Sequence, residues 1–142
     1  MDKKKDIEQL YFDFPAASAN STEPAKVNPI SPADRELIEF VISAACQYFE
    51  VDRQQLISEY RMANARHLCY YIIISSTTGV YDYDIGNYFN RKRTAVQYGI
   101  GLISSHKNIY RQTLGNLNGI IEIANNLEKK YEWHIPLMTT TH

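Results

Sequence analysis

Apolar residues recur at helical spacing in the N-terminal half of the chain. From Leu37 to Phe49 they fall every three or four positions with polar residues between them, which is the pattern of a helix that buries one face. Ser31-Pro32 precedes this run as an N-cap residue followed by proline at the first helical position. We therefore predict a helix from Pro32 to about Phe49, followed by a short helical turn that Asp52 caps.

Between Leu68 and Ile74 the chain is apolar on every side, so periodicity does not separate a buried helix from a buried strand. Three consecutive isoleucines favour a strand. Helical neighbours, the lack of a partner strand in the pattern and the stop at Gly79 favour a helix, and we predict a helix here.

The two ends of the chain have contrasting patterns. Apolar spacing from Leu114 to Leu127 predicts a last amphipathic helix that ends near Tyr131. Residues 15–33 are rich in Pro, Ala, Ser and Asn, and such a stretch buries too little surface to offset the entropy of ordering. The predicted organisation is a flexible tail and linker (1–31), a helical domain (32–133) and a frayed C-terminus (134–142).

A helix-turn-helix is predicted before that last helix. A short helix, capped by Asp82 or Asp84, leads into the basic turn Arg91-Lys92-Arg93, and a second helix begins at Thr94. Two helices joined by so short a turn can place the second one in a DNA major groove. Its inner face carries Val96, Ile100 and Ile103, and Gly99 allows a neighbouring helix to approach closely.

The residue types at the start of the second helix suit double-stranded DNA. Arginine binds guanine O6 and N7 with two parallel bonds, glutamine binds adenine in the same way, and threonine contacts a phosphate or a thymine methyl group. The candidate DNA-binding residues here are Arg91, Lys92, Arg93, Thr94, Gln97, Tyr98 and Lys107.

The charge distribution supports this prediction, although the total charge does not. The 142 residues are 44% apolar, enough for one domain with a core, and carry a net charge of −1. No acid lies between Asp84 and Glu122, whereas five cations do: Arg91, Lys92, Arg93, Lys107 and Arg111. Because the local field decides contact with a polyanion, this stretch favours DNA binding. The alternative is a basic face that is merely solvated.

Several other classes of protein are disfavoured. No apolar run approaches the roughly 18 residues of a membrane span, and the N-terminus lacks the apolar stretch of a secretory signal. Cys46 and Cys69 lie in apolar surroundings without a CxxC pattern, so two buried, reduced thiols in a cytoplasmic protein are expected rather than a disulfide. The histidines lack metal-ligand spacing, and no pattern of catalytic residues is found. Neither an enzyme nor a cofactor is predicted.

The stretch from about Ile38 to Leu127 resembles the C-terminal DNA-binding domain of the bacterial replication initiator DnaA. The likeness rests on the following blocks: Tyr48-Phe49-Glu50-Val51, Arg61 with Ala65-Arg66, Ile85-Gly86 with Phe89, and Arg91 to Val96. The family signature in the last block is Arg-Asp-His-Thr-Thr-Val or Arg-Asp-His-Ser-Thr-Val, where this chain has Arg-Lys-Arg-Thr-Ala-Val. The resemblance implies an all-α, Trp-repressor-like fold and a divergent, stand-alone DNA-binding domain that acts in replication or its regulation, in a bacterium, a plasmid or a phage.

The same resemblance implies roles for individual residues. In that family an Arg before the apolar helix reaches the minor groove or backbone, and Arg66 matches it. Lys92 and Arg93 stand where the family has the base-reading Asp and His, and Ala95 replaces a Thr. Lys92 removes an acceptor for cytosine N4 and adds a phosphate neutraliser. Altered or relaxed sequence preference, with a steep dependence of affinity on salt, is implied.

The N-terminal tail carries a second resemblance. Gln9-Leu10-Tyr11-Phe12-Asp13-Phe14 is similar to the Gln-Leu-x-Leu-x-Phe peptide by which bacterial replication proteins bind the sliding clamp. An extended tail that inserts Leu10, Phe12 and Phe14 into a groove is a sound mode of recognition, but these side chains could also fold back onto the domain. For the whole chain, the alternative function is a protein-interaction module that keeps the fold without specific DNA binding. The oligomeric state stays open.

Overall fold

Six α-helices and one 3-10 turn form the described part of the chain. A computed structural model describes residues 29–140, with helices α1 (Pro32–Phe49), α2 (Arg53–Ser58), α3 (Ala63–Ser76), α4 (Asp82–Phe89), α5 (Arg93–His106) and α6 (Arg111–Asn126), and the 3-10 turn at Tyr60–Met62. No strand occurs in residues 29–140, which confirms the predicted all-α fold. The predicted tail and its clamp-like residues Gln9, Leu10, Phe12 and Phe14 lie outside the described residues.

Helix α3 lies at the centre of the core. It contacts each of the other five helices, and Leu68, Cys69, Ile72 and Ile73 on its different sides are completely buried. A helix that is buried on most of its sides needs no broad polar stripe, and in α3 the exposed residues are Asn64 and Ser75, near its two ends. This explains why three consecutive isoleucines lie in a helix despite their preference for strands.

The first two helices begin where the sequence predicts. The Ser31 hydroxyl accepts a hydrogen bond from the Asp34 N–H at 3.1 Å, which caps α1. Asp52 and Gln55 form a capping box at the start of α2. In both cases the signal is local, because a cap depends on residues only three positions apart.

The C-terminal segment, residues 129–140, is not frayed. Helix α6 ends at Asn126 rather than near Tyr131, and the chain then runs back along it. The side-chain amide of Asn125 exchanges two hydrogen bonds with the backbone of Ile135, at 2.8 and 2.9 Å. Asn118 pairs with the backbone of Met138 in the same way, at 3.0 and 2.7 Å. The expectation of a frayed end is therefore wrong for residues 134–140.

A carboxylate on α1 anchors the other end of the C-terminal segment. Glu36 accepts hydrogen bonds from the backbone N–H of Lys130 and Tyr131, at 2.8 and 3.1 Å, and from the Trp133 indole N–H at 2.9 Å. The Trp133 ring meets Phe40 edge to face, with centroids 5.6 Å apart. These contacts explain why the helical pattern after Asn126 is overridden: the chain must leave the helix to reach α1.

Acidification is expected to release this anchor. Desolvation raises the pKa of Glu36, but the hydrogen bonds from Lys130, Trp133 and Tyr131 outweigh it and lower the pKa below its ordinary value of 4.5. A carboxylate with a lower pKa in the folded state stabilises the fold above the unfolded-state pKa, and this contribution is lost as the pH falls through the folded-state pKa. The emission of Trp133, the only tryptophan of the chain, should therefore shift to longer wavelength below about pH 4.5.

The variant Glu36→Gln separates the effect of losing the Glu36 hydrogen bonds from that of general unfolding in acid. It should give the long-wavelength emission already at neutral pH, because a neutral amide binds the three N–H donors more weakly than a carboxylate. Glu39→Gln is the matched control, since Glu39 pairs with Arg53 instead. Identical emission from wild type and Glu36→Gln at neutral pH would show that Glu36 does not hold the segment.

Candidate nucleic-acid interface

Helices α4 and α5 form the helix-turn-helix that the sequence predicts. Residues 90–92 join them, and both helices contact α3. Asn90 adopts the left-handed conformation with φ 54°, and its N–H bonds to the Gly86 carbonyl, which ends α4 tightly. At the start of α4, Asp84 rather than Asp82 acts as the cap, because its Oδ2 accepts from the Tyr81 N–H at 2.8 Å.

Two glycines permit the close approaches of this unit. A Cβ on Gly86 would overlap the Arg91 carbonyl oxygen, so any side chain there would push the turn away from α4. A Cβ on Gly99 would overlap the His67 ring on α3, which confirms that Gly99 lets a neighbouring helix approach α5. Any larger residue at these positions would displace the second helix.

Arg91 does not lie on the surface that could face DNA. Only 5% of the residue is exposed. Its Nη2 donates to the Ile57 carbonyl at 2.7 Å, and its Nη1 donates to the carbonyls of Phe89 and Asn90, at 3.3 and 3.1 Å. Arg91 thus joins the turn to the end of α2, and its predicted contact with DNA is corrected to a structural role.

Arg66 also lies away from the protein surface. It is completely buried, and its Nη1 donates to the carbonyls of Leu56 and Glu59 at 2.9 and 2.8 Å. The last four carbonyls of a helix lack partners within it, and Arg66 supplies a donor to one of them, that of Leu56, and to the carbonyl of Glu59, the residue that caps the end of α2. Its implied contact with the minor groove or backbone is incompatible with this position.

Lys107 is the third predicted DNA-binding residue that is buried. It is 8% exposed, and its ammonium group donates to the Thr139 carbonyl at 3.2 Å and to the Asn108 Oδ1 at 3.4 Å. It follows the last residue of α5, where it ties the helix to the C-terminal segment. The sequence stretch without acids is therefore less basic at the surface than its composition indicates.

The remaining predicted residues lie at the start of α5 or on its outward face. Thr94 and Gln97 are exposed, and the exposed stripe continues along the helix through Gly101 and Ser104. Lys92 and Arg93 are partly exposed at the N-terminal end of this stripe. On the inner side of α5 the buried residues are Ala95, Val96, Gly99 and Ile103. We call the surface of Lys92, Arg93, Thr94, Gln97, Gly101 and Ser104 the α5 face.

Tyr98 lies beside this face rather than on it. It is partly buried, and its ring meets the His67 ring edge to face with centroids 5.9 Å apart. The aromatic side chain therefore braces α5 against α3.

Asp82, the other of the two predicted caps of α4, has a different role. Instead of capping α4, its carboxylate reaches α5. Oδ2 accepts from the Gln97 Nε2 at 2.7 Å, and Oδ1 lies 3.6 Å from the Arg93 Nε. Arg93 and Gln97 are one helical turn apart, so one carboxylate can meet both. Nothing in the local pattern distinguishes this role from that of a helix cap.

Comparisons with protein-family models, with curated proteins and with solved structures give no match for this chain. The assignment of the site thus rests on its geometry.

The described residues offer little for other kinds of chemistry. Cys46 and Cys69 are free thiols, as expected, although Cys46 is only partly buried. Burial raises the pKa of both thiols, which keeps them protonated and poorly reactive. Within residues 29–140 there is no group of three side chains able to hold a metal ion, and every helix is too short or too polar to cross a bilayer.

Proposed function

We propose that this chain binds double-stranded DNA by placing the α5 face in the major groove. The observation that carries the proposal is the shape and chemistry of that face. Its residues are polar or small and at least partly exposed, and α5 contains no Asp or Glu. A major groove about 12 Å wide admits a helix only when its outward side chains leave room for the base edges.

The start of α5 suits a phosphate. Lys92 occupies the N-cap position and has no side-chain acceptor for the first N–H groups of the helix. Unsatisfied N–H groups at a helix N-terminus favour an anion, and the Lys92 and Arg93 side chains add positive charge at the same place. The helix N-terminus and Lys92 position the helix on the backbone, whereas Arg93, Thr94 and Gln97 can read bases.

The burial of three cations changes the expected dependence on salt. With Arg66, Arg91 and Lys107 inside the protein, the basic residues of the α5 face are Lys92 and Arg93. At most two neutralised phosphates give a slope of log affinity against log salt no steeper than about −2. The steep dependence implied by the resemblance is therefore replaced by a shallow one, and base contacts account for a larger share of the affinity.

Removing Lys92 is expected to flatten this slope by about one unit. The measurement is the affinity of the full chain for a short duplex at several salt concentrations, for wild type and Lys92→Ala. Arg111→Ala is the matched control, because Arg111 is exposed at the start of α6, beyond the far end of α5. An equal loss of slope in both variants would mean that the contact is not made at the start of α5.

The biological setting is also part of the proposal. The resemblance to DnaA supports a role in replication or its regulation, with altered or relaxed sequence preference because Lys92 and Arg93 replace the family's base readers. The tail residues Gln9 to Phe14 support a further partner, the sliding clamp.

One observation favours the alternative of a protein-interaction module. Residues 29–140 contain 11 Lys and Arg and 11 Asp and Glu, so the domain has no net charge to attract a polyanion from a distance. An interaction module would show no binding to any duplex at low salt, and this outcome separates the two functions.

A further inference from the structure

We propose that Asp82 is a positioning residue that makes Arg93 and Gln97 a single base-reading unit, selective for a guanine close to an adenine. The inference rests on the DNA binding proposed above.

The Asp82 carboxylate links the N-terminal end of one helix, α4, to the side chains of the next. Its two oxygens meet two side chains of the α5 face, Gln97 through Nε2 at 2.7 Å and Arg93 through Nε at 3.6 Å. The Asp82 side chain is 20% exposed and that of Arg93 is 42% exposed. Asp82 is therefore sheltered at the edge of the α5 face, while the arginine stays accessible to a ligand.

The Arg93 contact leaves the arginine suited to guanine. The guanidinium meets Asp82 through Nε, whereas two parallel bonds to guanine O6 and N7 are made by the terminal nitrogens. A long side chain held by a carboxylate also loses less rotational freedom when it binds a base. Asp82 thus orients Arg93 without using the donors that read guanine.

The Gln97 contact determines which way its amide points. A carboxylate only accepts hydrogen bonds, so Gln97 must present its NH₂ group to Asp82. Its Oε1 and its second N–H remain for a base edge that offers a donor beside an acceptor. Adenine N6 and N7 form that pair in the major groove.

The spacing of the two readers sets the spacing of the bases. Residues four apart on a helix are separated by about 6 Å along the axis, which corresponds to one or two base-pair steps of about 3.4 Å. The preferred site therefore contains a guanine and an adenine that are adjacent or separated by one base pair.

The negative charge of Asp82 adds discrimination against other sequences. A carboxylate beside the α5 face repels phosphates, so a duplex that offers only backbone contacts is penalised. Loss of Asp82 should therefore leave affinity for random duplexes equal or higher while it lowers the preference for the matched site.

The experiment begins with selection of binding sites from a randomised duplex library by the full chain. Affinities for the selected and a scrambled duplex are then measured for wild type, Asp82→Ala and Arg93→Ala. Asn87→Ala is the matched control, because Asn87 is exposed on the same helix α4. Each variant is checked for an unchanged helical circular dichroism spectrum. A selected duplex in which 7-deazaguanine replaces the guanine removes the N7 acceptor alone.

We expect wild type and Asn87→Ala to prefer the selected duplex by about tenfold or more, and to lose about tenfold in affinity with 7-deazaguanine. In Asp82→Ala and Arg93→Ala both effects should shrink to less than about threefold. A selected site without the guanine and adenine pair, or an Asp82→Ala variant that keeps the full preference and the full 7-deazaguanine effect, would overturn the inference and leave DNA binding in place. No binding of wild type to any library member would overturn DNA binding itself.

Discussion

Replacing Arg66 with methionine is expected to lower the free energy of unfolding by about 3 kcal/mol or more. The Arg66 guanidinium donates to the carbonyls of Leu56 and Glu59 inside the protein. Methionine keeps an apolar stem of similar length but supplies no donor, so the buried Leu56 carbonyl loses the Arg66 donor, and the partly buried Glu59 carbonyl keeps the Met62 N–H but loses the charged donor. The end of α2 and the 3-10 turn should loosen first, because Arg66 connects them to α3.

The measurement is urea unfolding of the full chain followed by far-ultraviolet circular dichroism. Arg61→Met is the matched control, since Arg61 is an exposed residue in the same turn that pairs with the Glu59 side chain, and such surface changes usually stay within about 0.5 kcal/mol. A stable Arg66→Met variant with weakened DNA binding would restore the surface role that the resemblance implies.

Local signals in the sequence predict the fold well. The cap at Ser31 and the capping box at Asp52 each act within a few residues, and α1 and α2 begin where these signals lie. The apolar run around Ile72 does not by itself decide between helix and strand, and α3 is helical because it packs among the other helices. The end of α6 could not be predicted in this way. It depends on Glu36, which is far away in the chain and draws Lys130 and Trp133 toward α1.

The candidate site was predictable in position but not in every role. The spacing of apolar residues correctly places Thr94 and Gln97 on the outside of α5. The burial of Arg66 and Arg91 could not be predicted from the sequence. An arginine that donates to carbonyls at a helix end cannot be distinguished by its sequence position from one that binds a phosphate. Both supply donors to carbonyls near the end of α2, a helix of only 6 residues with too few turns to satisfy its own acceptors.

The charge of the α5 face has consequences for how binding would proceed. With Lys92 and Arg93 as its cations, and Asp82 beside them, long-range attraction to DNA is weak. Association should therefore depend more on short-range fit in the groove than on electrostatic steering. A generic basic helix-turn-helix would rely more on electrostatic attraction. Here the affinity for DNA should depend mainly on the shape of the α5 face.

Replacing Gly101 with glutamate is expected to weaken DNA binding by about tenfold or more. Gly101 lies on the exposed stripe between Gln97 and Ser104, and a Cβ there meets no atom within 4 Å. The fold should tolerate the change, and helix propensity should even improve by about 0.5 kcal/mol. In the proposed complex, however, the carboxylate would enter the groove between two rows of phosphates. The repulsion between these like charges would hinder the approach of α5 to the bases.

Gly115→Glu provides a matched control, because Gly115 is also exposed, lies on α6 and leaves the same open space for a side chain. The two variants have the same net charge and differ only in which helix carries the new acid. The decisive measurement is the fluorescence anisotropy of a labelled random-sequence duplex pool, titrated at low salt with wild type, Gly101→Glu and Gly115→Glu. Binding by wild type and Gly115→Glu, with a loss of about tenfold or more in Gly101→Glu, is the predicted result. No binding by wild type, or equal losses in the two variants, would contradict the claim that α5 is a DNA-reading helix.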